Sequence, residues 1–552
     1  MSVSIPPAEA WPEPPTGPPP APASARRDAL PPWVIVLLVF FFGLRVVEVA
    51  SESRGSPAGA HHLSAGSEKS VDTDSMQDLI EADLQAKAAY ASSLPRPVAR
   101  PETKALRGAL KAAEELEAET DNAPGAARRV ILLRALLGQQ PPLAAGKNGL
   151  DPLAAFTTAL PAETPPVDRA RYAAEGHLWQ AAFGKQPLTP HQMDALAAQI
   201  RAVPNIRWWQ WPALSSLYAR QGDLSEANRY ALEARSRALL PLAGTGAMTL
   251  IRVGLGLAGG LLLIYFGLKA AGVFRGGETQ PGLDLWPTLP ERLYLSERRL
   301  GAGDLMAVFV LYLVAREVIG LLLTGFSGFG TPHLLGFPGL LAPFESAIKR
   351  MPALRRNELG VLLEAVTYLL AAVPPVAYLR SLARRRGASL ADELGWSRRA
   401  LWPNVAYGVA GYALALPIML AVSLAAPRLF RHAPSPSNPV IPQLVNTSGW
   451  WATALLIGLA SVAAPLVEEL LFRGVFYNAA KLRLGAWPAI ILTGLVFGFV
   501  HPVGVAEMLA IAVLGGVFAW MAETRKSLVP SITGHFINNF TSTLLLLFVL
   551  SG

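Results

Sequence analysis

From residue 241 onward the chain is a series of apolar blocks, each near the ~20 residues that carry an α-helix across ~30 Å of hydrocarbon. They fall at 248–271, 303–325, 358–379, 403–426, 450–471, 486–501, 504–521 and 529–550. Composition points the same way: 52% of the 552 residues are apolar and 16% are charged, against ~25% charged in an ordinary soluble protein. Mean hydropathy is +0.34. A single soluble globular domain of this make-up would expose large apolar patches, which excludes that class. The expected fold class is all-α: a polytopic transmembrane helical bundle with an N-terminal anchor and an extramembrane α-helical domain.

The N-terminal part divides into three. Residues 1–32 hold eleven prolines, so this tail can build neither helix nor ladder and is expected to be disordered or polyproline-II-like. Arg26 and Arg27 then precede the apolar stretch 33–49. We expect a transmembrane anchor over 33–50. The competing reading, a cleaved signal peptide, would set Glu48 three residues before the cut, where a small residue is needed. Residues 51–240 are charged throughout and contain no segment long enough to span. Alanine and leucine recur there at helical spacing, as in Ala105, Leu106, Ala109, Leu110, Ala113 and Leu116, so a soluble helical domain is expected. Within it, Leu217, Tyr218, Gly222, Ala227 and Ala231 resemble one tetratricopeptide hairpin. An ordinary helical hairpin is the simpler reading, because a repeat array needs ~3 or more copies.

Charge sets the expected orientation. Arg380, Arg384, Arg385, Arg386, Arg398 and Arg399 crowd one loop, Lys481 and Arg483 another, Arg525 and Lys526 a third, and Arg275, Arg292, Arg298 and Arg299 a fourth. Counting spans alternately, all four fall on one side, which the positive-inside rule makes cytoplasmic. The N-terminus is then cytoplasmic, and 51–240 and the C-terminus are extracytoplasmic. Lys349, Arg350, Arg355 and Arg356 dissent, since they fall on the outer side. The net charge of +8 is explained by retained loop arginines. No basic stretch is interleaved with aromatics, so nucleic acid is not an expected partner. The absence of cysteine excludes a disulfide framework, thiolate-bound zinc, iron–sulfur clusters and a cysteine nucleophile.

The ionisable groups that stand out lie in the last four blocks. Glu468, Glu469 and Arg473 sit in an apolar stretch, where a charge costs ~2.5–3.5 kcal/mol and normally faces protein interior or a wet cavity. On a regular helix Glu469 and Arg473, four apart, share a face and can pair. Glu468 points ~100° away and is left to act elsewhere. His501 closes the next block, four residues after Phe497. His535 and Asn539, again four apart, share a face in the last. His501 meets the two others only if 486–501 is short or tilted, or if the turn after it lies within the membrane.

The spacings EExxxR, FxxxH and HxxxN, in this order on successive apolar spans, closely resemble the CPBP family of CAAX prenyl proteases and bacteriocin-processing or immunity-associated proteins. The resemblance covers roughly 400–552 and leaves 1–240 untouched. It implies an intramembrane endopeptidase in which Glu468 and His501 activate a water, as general bases do. His535 and Asn539 would stabilise the oxyanion, and Glu469 and Arg473 would organise the site. It implies a membrane-associated protein or peptide as substrate, in the lipid bilayer. Separately, the richness in Ala, Pro and Arg points to a bacterial inner membrane, and 51–240 is open to a protein partner. Both a metal-free mechanism and a metalloprotease are compatible with the residues. The favoured reading uses no cofactor. Zinc or another divalent metal would take Glu468, His501 and His535 as an open three-ligand set. Two readings of other classes stay open: a non-catalytic scaffold or immunity protein of the same family, and a proton-coupled transporter using the buried acids as a relay.

Overall fold

The structure, a computed structural model, describes with short gaps residues 76–92, 102–271, 300–324, 347–429 and 450–550, together with positions 32, 34, 35 and 37. The Pro-rich tail and nearly all of the expected anchor lie outside the described residues. Among those described, every regular element is helical.

Six of the described helices precede the apolar blocks: α1 (Met76–Ala91), α2 (Thr103–Glu119), α3 (Pro124–Leu136), α4 (Pro166–Phe183), α5 (Pro190–Ala202) and α6 (Gln210–Arg220). Proline opens α3, α4 and α5, a position where its missing N–H costs nothing and its fixed φ suits the helix. Thr189 and Gln192 cap α5 reciprocally. The shared core of this region holds the small faces of α1 and α2 (Ala82, Ala86, Ala89, Ala109, Ala113) and the large side chains Tyr90, Phe156, Trp179 and Trp208. Arg128 on α3 forks onto the Glu175 carboxylate of α4 at 2.6 and 2.9 Å, and Trp179 Nε1 donates to the same carboxylate at 2.9 Å.

The hairpin at 217–231 is made by α6 and α7 (Leu224–Ala270). Gly222 takes the turn at φ +82°, a conformation that glycine adopts without a Cβ penalty, and Asp223 caps α7 through the Glu226 N–H. Helix α7 has 47 residues, so it is ~70 Å long at 1.5 Å per residue. The division expected at 240/241 falls inside it. Pro241 removes one backbone hydrogen bond there without ending the helix. The change in composition marks a change of surroundings, not a break in the ladder.

Beyond α7 come α8 (Ala302–Thr324), α9 (Ala353–Arg386), α10 (Leu401–Leu429), α11 (Trp450–Leu484), α12 (Ala486–Phe499), α13 (Val505–Arg525) and α14 (Val529–Leu550). The sequence predicts eight spans after the anchor; among the described residues six helices are long and apolar enough to cross a membrane: α7, α9, α10, α11, α13 and α14. The chain is thus a multi-pass membrane protein. Helix α8 carries Asp304, Arg316 and Glu317. Its apolar residues Leu305 to Leu313 are buried in protein, with Phe309 against Phe472 and Phe476 of α11. Val34, from the anchor segment, is buried in the same cluster as Leu300 and Leu305. Helix α12 differs in having only 14 residues, ~21 Å against ~30 Å of hydrocarbon. Its backbone lies close to α13: a Cβ on Gly498 would come within 2.4 Å of the Met508 carbonyl, the kind of approach that glycines four apart permit.

The outer helices dock on one end of the bundle. Lys87 Nζ donates to the Val549 carbonyl at the end of α14 (2.8 Å), and Leu116 and Ala126 share a cluster with Val361, Ala452 and Leu456. Arg356, at the start of α9, lies 3.5 Å from the Asp168 carboxylate of α4. This contact accounts for a basic residue on the dissenting side, since an acid of the outer helices meets it there. The outer helices and the end of α14 thus meet at the same end of the bundle.

Glu117, at the end of α2, is fully buried, and neither carboxylate oxygen has a hydrogen-bond partner among the described residues. Burial pushes it up to about 7, against the pull of Arg134 and with a further push from Glu114 and Asp151. A group raised in the folded state stabilises fully below its unfolded pKa, here ~4.5, and loses that contribution as pH rises through about 7. Thermal melting of the purified chain in detergent should show the outer helices losing ~3 kcal/mol between pH 4.5 and 8 from this group, at ~1.4 kcal/mol per pKa unit. Glu117→Gln should flatten that slope and raise the melting temperature at pH 8. An unchanged slope would contradict the assignment.

Candidate active site

Helix α11 is not regular. Two π-helical segments, Leu459–Ala463 and Leu470–Tyr477, bracket an α-helical piece, Ala464–Glu469. Pro465 has no N–H to offer the carbonyl four residues back, which loosens the turn before it. Side-chain amides take up carbonyls of both wide turns. Asn539 Nδ2 donates to Ala460 O at 2.8 Å, and Asn478 Nδ2 donates to Gly474 O at 2.8 Å and Arg473 O at 3.2 Å. Such wide turns often mark functional sites, and here they flank the piece that carries Glu468 and Glu469.

Glu469 and Arg473 meet at 2.8 Å with both side chains wholly buried. The guanidinium also donates to the Gly515 carbonyl of α13 at 2.9 Å. Its carbon stands 4.3 Å from the Phe497 ring centre and 5.3 Å from that of Phe518, a desolvated cation–π arrangement. The same Glu469 oxygen accepts from His535 Nδ1 at 2.8 Å. With Nδ1 carrying the proton, Nε2 holds the lone pair, and it faces Glu468 Oε2 at 3.9 Å. Arg473, Glu469, His535 and Glu468 therefore form one line from α11 to α14 and back. Glu468 is the more open end, its side chain 13% exposed.

The other oxygen of Glu468, Oε1, accepts from Tyr368 Oη at 3.2 Å. Tyr368 belongs to α9. Arg316 and Tyr312 of α8 stand in electrostatic range of Glu468 as well. These three escape a scan that looks only at the last four apolar blocks. The signal was present: Arg316-Glu317 is a charged pair inside an apolar block, and such pairs mark interior sites as strongly as Glu468-Glu469 does.

His501 lies just past the end of the short helix α12. Its Nδ1 bonds Phe497 O at 2.6 Å, which leaves the lone pair on Nε2. The Phe497 ring packs against both His501 and His535, with centres 4.8 and 5.7 Å apart. His501 is in electrostatic range of Glu468 and His535, while the direct contacts of Glu468 are with Tyr368 and His535. One N–H of Asn539 is committed to Ala460, and its Oδ1 accepts from Asn538 at 3.0 Å.

Among the described residues, no three His, Asp or Glu side chains are grouped so as to hold a metal ion. Glu468, His501 and His535, the set a metal would need, do not form such a group as they stand.

The fold and this cluster define a helical membrane protein with a carboxylate–imidazole site inside its bundle. Residues 450–541 match the model of the family described as Rce1-like, type II CAAX prenyl endopeptidases. A protein of Bacillus subtilis (strain 168) named "Putative membrane peptidase YdiL" is 28% identical over 90 residues. That alignment takes in 16% of this chain and 36% of the relative, so the chain spans about a third of the relative's length. No solved structure matches. The resemblance to CPBP proteases carried by EExxxR, FxxxH and HxxxN is thus supported, over the segment that holds all three.

Removing one partner of a buried ion pair leaves the other charge uncompensated, at ~3–5 kcal/mol. Glu469→Gln should therefore unfold the purified protein at distinctly lower temperature or denaturant, while Glu468→Gln, at the open end, should change stability by less than ~1 kcal/mol. Equal losses would contradict the division between the two acids.

Proposed function

We propose that the chain is an intramembrane endopeptidase that hydrolyses a peptide bond of a membrane-associated protein or peptide with a water activated by Glu468. The observation that supports this most is the 3.9 Å between Glu468 Oε2 and His535 Nε2. A water at a normal ~2.8 Å from each atom fits that span. The water donates one O–H to Glu468 and is oriented by His535, which Glu469 holds in a single tautomer. Glu468 takes the proton as the water oxygen bonds to the scissile carbonyl carbon. When the carbon–nitrogen bond breaks, that proton passes to the leaving amine, giving a carboxylic acid and an amine. His501, in electrostatic range of both groups, exchanges protons during turnover. Asn539 steadies the first wide turn and offers its second N–H to the oxyanion, in a low-dielectric site where such a bond weighs most.

This reading shifts part of the water's activation from His501 to His535. It uses no cofactor. In the same proposal the protein resides in a bacterial inner membrane, with its N-terminus cytoplasmic and the outer helices extracytoplasmic, where they can receive a protein partner. The substrate need not be prenylated, since the family match covers only the C-terminal part of the chain.

Membrane proteomes of strains carrying the wild-type and Glu468→Gln proteins test the proposal. Uncut proteins should accumulate only with Glu468→Gln. A peptide spanning the mapped cut site should be cleaved by purified wild-type protein, also after exhaustive chelation, and not by Glu468→Gln of equal stability. Full activity of Glu468→Gln would contradict the proposal. Loss of activity on chelation with recovery on zinc would contradict its metal-free form.

A further inference from the structure

Carboxylates act as bases through one oxygen at a time, and which oxygen is used depends on what holds the other. In this site Oε2 of Glu468 faces His535, and Oε1 is taken by the phenol of Tyr368 at 3.2 Å. Tyr368 comes from α9, outside the 450–541 segment matched by the family model, so nothing in that match assigns it a role. It is half-buried beside Arg316 and Tyr312 of α8 and in electrostatic range of both.

We propose that Tyr368 is a positioning residue, which holds Glu468 by Oε1 so that Oε2 addresses the water and His535. The inference rests on Glu468 being the base. A glutamate has three rotatable side-chain bonds, and the helix of which it is part is locally widened. Nothing on α11 itself fixes its carboxylate plane. The restraint comes from a neighbouring helix, as the restraint on His535 comes from Glu469. The 450–541 segment then supplies the reacting groups, while α9 supplies the alignment of one of them. A group misplaced by a fraction of an ångström loses rate and not binding, because orientation is gained only on the way to the transition state. A buried tyrosine hydroxyl also finds a partner for purely structural reasons, and the two roles separate in kinetics.

The test uses the full chain and the cut-site peptide mapped in the Glu468→Gln comparison. Tyr368→Phe removes one oxygen. It should lower kcat about tenfold or more, within the ~10²-fold that a ~1 Å misplacement of a reacting group costs, with KM within about twofold and the melting temperature little changed. Infrared difference spectra, wild type minus Glu468→Gln, isolate the Glu468 carboxylate stretch, and the same band should move in Tyr368→Phe. This readout does not depend on activity. Unchanged kcat overturns the inference. So does a fall in kcat accompanied by a lower melting temperature and a higher KM, which would make the tyrosine a packing residue. An unmoved carboxylate band overturns it also. A fully active Glu468→Gln instead removes the reading on which the inference rests, and is told apart because Tyr368→Phe is not needed to see it.

Discussion

A guanidinium and a carboxylate wholly buried in a membrane bundle constrain everything around them. Arg473 and Glu469 cannot be hydrated where they are, and each is tolerated only because the other is 2.8 Å away. The pair also reaches out in two directions. Arg473 reaches the Gly515 carbonyl, tying α11 to α13, and Glu469 accepts from His535, tying α11 to α14. Phenylalanines from three helices close over the guanidinium. The pair thus fixes the helices that present the site, and through His535 it fixes the direction of the imidazole lone pair. Whether such a pair adds net stability over apolar residues is a separate matter. Here it specifies an arrangement.

Neighbours on an α-helix such as Glu468 and Glu469 diverge by ~100°. Both lie in the α-helical piece Ala464–Glu469, and they flank one imidazole from two sides, Glu469 at Nδ1 and Glu468 at Nε2. The wide turns lie on either side of that piece. They leave carbonyls to satisfy, and Asn478 and Asn539 satisfy them. Asn539 thereby acts on the backbone of the helix it faces, a role that a polar residue one turn from His535 does not announce.

Much of this was legible in the chain. The apolar blocks and the four-residue spacing of Glu469 and Arg473 follow from helix period and from the cost of lone charges in lipid. The shortness of α12, which brings His501 inward, was one of the conditions convergence required. Other features were hidden for physical reasons. A 3.6-residue period carries no sign of a local change to π geometry, and the meeting of Glu468 with His535 depends on how α11 packs against α14, which spacing within one helix does not give. The continuity of α7 past 240 was hidden because hydropathy reports environment and not hydrogen bonding. Tyr368 and Arg316 are a different case. They come from helices distant in sequence, but the Arg316-Glu317 pair in an apolar block was in plain view and pointed inward.

The proposed hydrolysis requires a solvent molecule held between two acceptors inside the bundle, by residues whose own positions are set from behind. An experimental structure at a resolution that shows ordered water would display it. One water is expected ~2.8 Å from both Glu468 Oε2 and His535 Nε2, with Tyr368 on the opposite carboxylate oxygen. A site closed by a side chain, or a metal ion bonded to Glu468, His501 and His535 at ~2.0–2.2 Å, would contradict it.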